Sequence, residues 1–126
     1  MRTRTIMLAA CVASLALMAT ASIHAFPLTR YNDLTFSGPV ALPGITLGAG
    51  TYRFEVANPT SSANVVRVSN PRTQQVYFMR HTMRVTRPHT LPAGHIVTFG
   101  EAKAGQPMPI RIWYPRDGGD GHQFVY

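Results

Sequence analysis

Proline and glycine recur at short intervals from Pro27 to the end of the chain, and this spacing constrains the fold more than any other feature. The 126 residues include ten of each, and proline interrupts helices and central strands because it has no N–H to donate. No stretch between them shows the i, i+3, i+4 apolar spacing of an amphipathic helix. Short alternating runs recur instead, about every 8–12 residues. The pattern predicts an all-β fold, an antiparallel β-sandwich or small β-barrel of about eight short strands.

The clearest strand is predicted at residues 51–56, where Tyr52, Phe54 and Val56 alternate with polar residues. Residues 64–69 and 74–85 are predicted to form a hairpin, because Asn70 and the proline after it suit the first two positions of a type I turn. Tyr52 follows a glycine turn, so its hydroxyl is expected to bond nearby backbone as in a tyrosine corner. The predicted core consists of Phe36, Tyr52, Phe54, Val66, Val68, Ile96, Phe99, Ile110, Ile112 and Phe124.

The first 25 residues have a different composition. Arg2 and Arg4 precede an uncharged apolar run that ends in small residues, which is typical of a cleavable signal peptide. Cleavage fits after Ala21 or Ala25, and we favour Ala25 because Phe26 opens a new composition. A membrane anchor is an alternative, since about 16–18 apolar residues lie at the lower limit for spanning a bilayer. A lipoprotein is another, with Cys11 as the lipidated residue, although Cys11 lies near the start of the apolar run.

Removal of this segment changes the composition of the protein. The whole chain has a formal charge of +7 and one cysteine; residues 26–126 keep 101 residues, a charge of +5 and no cysteine. The predicted single β domain, 26–126, therefore has neither a disulfide nor a cysteine metal site. We expect a periplasmic or extracellular location, with no transmembrane segment in the mature chain. The sequence leaves the oligomeric state and the choice between sandwich and barrel open.

Several motifs resemble a group of small exported bacterial β-sandwich proteins. Residues 42–55 (LPGITLGAGTYRFE) match its leucine-proline-glycine turn and the strand that follows. Residues 97–101 (VTFGE), 113–115 (WYP) and 121–126 (GHQFVY) match its later strands. The resemblance extends over roughly residues 34–126. It implies a β-sandwich and export, but no catalytic residues, because the group has no established activity.

Methionine and histidine alternate at Met79, His81 and Met83. Side chains at i, i+2 and i+4 share one face of a strand, and thioether and imidazole ligands suit copper(I). This predicts a possible copper-handling site. The alternative is that the three residues belong to an apolar core face with Tyr77 and Val85, because methionine commonly fills gaps in cores.

A loop near the C-terminus combines carboxylates, glycines and a histidine. Asp117, Asp120 and His122 could bind a hard cation such as calcium. However, two carboxylates are fewer than such sites usually have, and glycines are equally typical of a tight turn. The turn is therefore the alternative interpretation of this loop.

Arginine supplies nine of the ten basic side chains after residue 25. Five of them occupy alternating positions in predicted strands and would form one positive sheet face, suited to carboxylate or phosphate groups. The alternative is a solvated face that only keeps the protein soluble. The candidate anion-binding residues are Arg53, Arg67, Arg80, Arg84 and Arg111.

No catalytic motif is present. The serines lie in no nucleophile elbow, and Glu55 and Glu101 are interpreted as surface or ion-paired residues. The sequence therefore predicts a non-enzymatic exported binding or cell-envelope-associated domain. Its expected partner is an anionic envelope component or another protein, and not nucleic acid, because no recognition motif accompanies the charge. Periplasmic copper handling and a small hydrolase are the alternatives.

Overall fold

The computed structural model describes residues 31–58, 62–92, 94–116 and 119–126. These residues form strands joined by turns and loops, and they contain no helix. The predicted signal peptide, with its cleavage sites and Cys11, lies outside these residues. No helix in the described ranges could span a membrane. The ten strands are β1 Tyr31–Phe36, β2 Val40–Leu42, β3 Ile45–Leu47, β4 Gly50–Asn58, β5 Ser62–Ser69, β6 Val76–His81, β7 Met83–Val85, β8 Val97–Phe99, β9 Met108–Trp113 and β10 Gly121–Gln123.

These strands form two sheets. The four-stranded sheet has the order β1-β4-β5-β6, and all its neighbours are antiparallel. The six-stranded sheet has the order β3-β2-β9-β10-β7, with β8 paired to β9. Its only parallel pair among the described strands joins β2 to β9. The all-β prediction is confirmed, and two sheets with a shared apolar core have the architecture of a β-sandwich.

Aromatic side chains fill the space between the sheets. Phe54 on β4 meets the Trp113 ring of the opposite sheet edge to face, with a centroid distance of 6.0 Å. Phe78 on β6 contacts Phe124 in the same manner at 5.6 Å. Such edge-to-face pairs are the geometry that the quadrupoles of aromatic rings favour. Of the predicted core residues, the buried ones are Phe54, Val66, Val68, Ile110 and Phe124.

Four other predicted core residues are partly buried, and one prediction is wrong. Phe99 is 41 % exposed, because it lies at a bulge where β8 meets β9. There, Thr98 pairs with Ile112 and Phe99 with Ile110, so Arg111 is an extra residue on β9. A bulge of this kind shifts the alternation by one residue. It places both Ile110 and Trp113 in the core, although simple alternation predicts opposite faces for them.

The β5–β6 hairpin is confirmed, and Asn70 organises its turn. The Asn70 side-chain oxygen accepts hydrogen bonds from the backbone N–H groups of Arg72 and Thr73. Its backbone also bonds to Gln74 and Gln75 across the turn. The tyrosine corner is confirmed as well, because the Tyr52 hydroxyl donates to the Gly48 carbonyl at 2.8 Å.

The continuous strand predicted for residues 74–85 is wrong. It is interrupted at Thr82, after which β7 joins the other sheet. The Thr82 N–H and hydroxyl both donate to the Asn64 carbonyl, at 2.8 and 2.7 Å. Thr82 is buried at 7 % exposure, so these bonds are made away from solvent. They fix the point at which the chain crosses from one sheet to the other.

Candidate functional site

The outer face of the four-stranded sheet carries polar side chains that alternate with the buried core residues. Arg53 and Glu55 flank Phe54 on β4, and Arg67 lies between Val66 and Val68 on β5. Glu55 is directly opposite Arg67 in the strand register. The alternation of strand side chains therefore places these three charged groups together on the face opposite the core.

Each of the two arginines forms an ion pair, but the two pairs differ in geometry. Arg53 donates through Nε and Nη2 to both carboxylate oxygens of Asp33, at 2.8 and 3.0 Å. This hydrogen bonding lowers the pKa of the Asp33 carboxyl. Arg67 donates to Glu55 only through Nε, at 2.8 Å. Within the described residues, the Nη groups of Arg67 have no partner, so they remain available to bind an additional group.

A cleft of about 280 Å³ opens beside these charges. It lies where the outer face of the four-stranded sheet meets the β5–β6 turn, and we call it the Arg53–Arg67 cleft. Two arginines, one glutamate and several neutral polar residues line it, together with a proline and a valine. Its lining residues are Arg53, Glu55, Arg67, Ser69, Asn70, Pro71, Gln74 and Val76.

The turn residue Gln74 has an unusual backbone. Its φ is 63°, the only positive φ among the described non-glycine residues, and this conformation costs an L-residue about 1–2 kcal/mol. The bonds across the turn to Asn70 hold Gln74 in this conformation. The strained residue is thus one of those that line the cleft.

The predicted single arginine face is wrong. Of the five candidates, only Arg53 and Arg67 share a surface. Arg80 lies on the inward side of β6, with its guanidinium carbon 5.9 Å from the centre of the Phe78 ring. Arg84 belongs to β7 in the other sheet and faces Asp120 at 3.7 Å. Arg111, the bulged residue of β9, extends its side chain along Gly100.

The common strand face predicted for Met79, His81 and Met83 is also wrong. Met79 and His81 are exposed on β6, whereas Met83 follows the break at Thr82 and belongs to β7. The alternative core assignment is wrong too, because Met79 is 57 % and Met83 is 59 % exposed. For Met79 the reason is a bulge at Tyr77, which turns Tyr77 and Phe78 inward and Met79 outward. Met83 belongs to β7 in the other sheet.

The C-terminal loop candidates have separate surroundings. Asp117 lies outside the described residues, and Asp120 is exposed beside Arg84. His122 is buried, with its ring stacked on Trp113 at a centroid distance of 5.4 Å. Its Nδ1 lies 3.2 Å from the Thr82 hydroxyl. Because that hydroxyl donates its proton to Asn64, it accepts a hydrogen bond from an Nδ1–H of His122.

The positions of these residues do not support a metal site. In the described ranges, no group of three or more histidine, cysteine, aspartate or glutamate side chains could hold a metal ion. The copper and calcium hypotheses therefore stay predictions. The interpretation of Glu55 as a surface or ion-paired residue is confirmed by its bond to Arg67.

Sequence reasoning missed the turn residues of the cleft. Asn70 and its proline were assigned only to a turn, and Gln74 to the start of a strand. The hairpin prediction could have indicated them, because pairing residues 64–69 with the following strand places the turn beside Ser69, and Ser69 pairs with Arg53.

Comparison with models of known families, with curated protein sequences and with solved structures found no match for the chain.

Proposed function

We propose that this protein is an exported, non-enzymatic binding domain that recognises anionic groups of the cell envelope through the Arg53–Arg67 cleft. The observation that carries the proposal is that the side chains of two arginines, Arg53 and Arg67, line one concave surface. Arginine binds carboxylate and phosphate groups through a planar set of donors. Arg67 provides such donors, because only its Nε is bonded within the described structure.

The ion pairs of this face do not prevent binding. The side chains of Arg67 and Glu55 are 36 % and 20 % exposed, so the pair is only partly buried. Ion pairs that solvent still reaches typically contribute about 0–1 kcal/mol. A ligand that offers Arg67 a second acceptor does not have to break a strong internal contact. The bidentate Asp33–Arg53 pair meanwhile holds the Arg53 guanidinium in place.

The predicted export of the protein determines which anions it would meet. The N-terminal composition is typical of a signal peptide, and the resemblance of residues 42–55 and 97–126 to small exported bacterial β-sandwich proteins supports the same location. Outside the cytoplasm, the abundant anions include acidic polysaccharides and lipid head groups. An excess of positive charge in this compartment favours association with them.

Salt-dependent binding of charge-matched variants tests the proposal. The mature protein is passed over an anionic polysaccharide matrix, and the salt concentration that elutes it is measured. The double variant Arg53→Ala with Arg67→Ala is expected to elute at clearly lower salt. The control is Arg84→Ala with Arg111→Ala, which removes the same charge from positions outside the cleft.

The control determines how the result is interpreted. If both double variants elute at the same reduced salt, binding follows net charge alone and the cleft has no role. If neither the native protein nor the variants bind any anionic matrix, the proposed function is wrong. Circular dichroism confirms that each variant keeps its β structure before the elution profiles are compared.

A further inference from the structure

The cleft combines three polar groups that have no hydrogen-bond partner within the described residues. They are the Nη groups of Arg67, the second carboxylate oxygen of Glu55 and the side-chain amide of Gln74. The first can only donate, the second can only accept, and the third can do both. A ligand that satisfies all three must itself carry both acceptors and donors of hydrogen bonds. The positive charge of Arg67 favours an anionic acceptor.

Glu55 restricts the class of anion. A sulfate or a simple carboxylate has no proton to donate at neutral pH, so its charge would face the Glu55 carboxylate without a compensating hydrogen bond. A ligand whose hydroxyl groups stand next to its carboxylate avoids this cost. Its carboxylate pairs with Arg67, and a hydroxyl donates to Glu55.

The size and the apolar surface of the cleft also favour a ligand that carries both hydroxyl groups and a carboxylate. At about 280 Å³, it is slightly smaller than typical small-molecule pockets, which begin at about 300 Å³. It is therefore suited to one compact ring of a ligand. Pro71 and Val76, the latter 49 % exposed, offer apolar surface to the C–H face of such a ring.

We infer that the Arg53–Arg67 cleft binds a uronic acid unit, the carboxylate-bearing sugar of acidic polysaccharides. The inference rests on the proposed function and specifies the ligand of the same cleft. In this arrangement, Arg67 binds the sugar carboxylate, Glu55 accepts from a ring hydroxyl, and Gln74 bonds a further hydroxyl. Gln74, the residue with the positive φ, is one of the residues that line the cleft.

Titration calorimetry with defined ligands tests this inference. The probes are a galacturonic acid trimer, the same trimer with its carboxylates methyl-esterified, and sodium sulfate. The native protein is expected to bind the acid trimer at least about tenfold more tightly than the ester, because a hydrogen bond to a charged group contributes about 1.5–3 kcal/mol. Equal affinity for the two trimers would overturn the inference.

Glu55→Gln gives the sharper test, because its effects on the two kinds of anion have opposite signs. Loss of the carboxylate is expected to weaken binding of the acid trimer about tenfold. It is expected to strengthen sulfate binding, since Arg67 is released and the repulsion is removed. Glu101→Gln, which changes an exposed carboxylate outside the cleft, should leave both affinities unchanged.

The outcomes separate the inference from the function on which it rests. If Glu55→Gln strengthens the binding of both the trimer and sulfate, the cleft binds anions in general; the uronic acid inference is then overturned and the proposed function stands. If the native protein binds neither the trimer, nor sulfate, nor any anionic matrix, both are overturned.

Discussion

The four-stranded sheet is built from strands of six to nine residues, whereas five of the six strands in the other sheet have three residues each. The long strands hold one another through continuous backbone ladders, such as the six residue pairs between β1 and β4. The short strands offer two or three pairs per neighbour. The six-stranded sheet therefore depends more on hydrogen bonds made by side chains.

Two such side chains anchor the six-stranded sheet. The Asn32 side-chain oxygen, on β1, accepts from the Trp113 indole N–H at 3.1 Å and from the Arg116 N–H at 3.0 Å. The Tyr126 hydroxyl contacts the carbonyl oxygens of Ala41 and Ile110 at 2.9 and 2.8 Å. These side chains hold the less regular sheet, whereas the regular sheet is held by its backbone ladders and carries the Arg53–Arg67 cleft on its outer face.

The largest expected effect concerns the Asn32 anchor. Asn32→Ala leaves the buried indole N–H of Trp113 without an acceptor, and a buried unsatisfied donor costs about 1–3 kcal/mol. We expect a loss of about 2 kcal/mol in the free energy of unfolding, measured by urea denaturation. Amide exchange should accelerate in β9 more than in β4.

Asn32→Asp is the matched control, because it keeps an oxygen that can accept both bonds. It should retain most of the stability that the alanine variant loses. If the alanine variant loses less than about 0.5 kcal/mol, Asn32 is not an anchor and the contrast between the two sheets fails.

An intermediate effect is expected at Tyr126. Its hydroxyl supplies a donor where β2 and β9 run parallel, a place at which Pro109 has no N–H to give. Tyr126→Phe should cost about 1 kcal/mol in the free energy of unfolding at neutral pH. Denaturant titration of the two proteins measures it, and equal stability would show that the parallel pair needs no such donor.

The same residue gives a pH dependence with a defined sign. Although the Tyr126 residue is 63 % exposed, its hydroxyl end is partly buried against Ile110, and this desolvation raises the pKa of Tyr126 from 10.0 to about 12. A raised pKa means that folding favours the protonated phenol, so its contribution is complete below pH 10 and is lost as the pH rises through about 12. The stability difference between the native protein and Tyr126→Phe should therefore narrow across this interval. A stability difference that stays constant across this interval would contradict the raised pKa of Tyr126.

The smallest effect is expected on the outer face of the four-stranded sheet. Asp33→Asn removes the exposed pair with Arg53 and should cost at most about 0.5 kcal/mol. Since the bond from Arg53 lowers the pKa of Asp33, this small contribution is present above the ordinary carboxyl pKa. It disappears as the pH falls through the lowered value. Acid titration of both proteins measures it, and a loss comparable with that of Asn32→Ala would remove the distinction between the sheets.

The regular sheet was largely predictable from local pattern. The alternation around Phe54 and between Val66 and Val68 predicts which face is buried, and the structure confirms it. The turn at Asn70 and the tyrosine corner at Tyr52 follow from residue types with specific backbone preferences. In each case the determining contacts lie within the strand or its immediate turn.

The candidate site was predicted only in part. Arg53 and Arg67 were recognised as candidate anion-binding residues, but they were grouped with arginines that lie elsewhere. A bulge at Arg111 and the break at Thr82 displace the expected alternation. These irregularities depend on residues distant in the chain: the bulge at Arg111 on Phe99, and the break at Thr82 on Asn64. Short-range periodicity in the sequence therefore does not predict them.

The sequence by itself determined that this chain forms short strands and no long helix, because closely spaced prolines and glycines exclude helices of useful length. It also determined which residues of β4 and β5 point outward. The tertiary structure alone decided that β6 and β7 belong to different sheets and that the β5–β6 turn closes one side of the Arg53–Arg67 cleft. The physical reason is that strand alternation is a local property, whereas bulges and sheet assignment depend on hydrogen bonds between residues far apart in the chain.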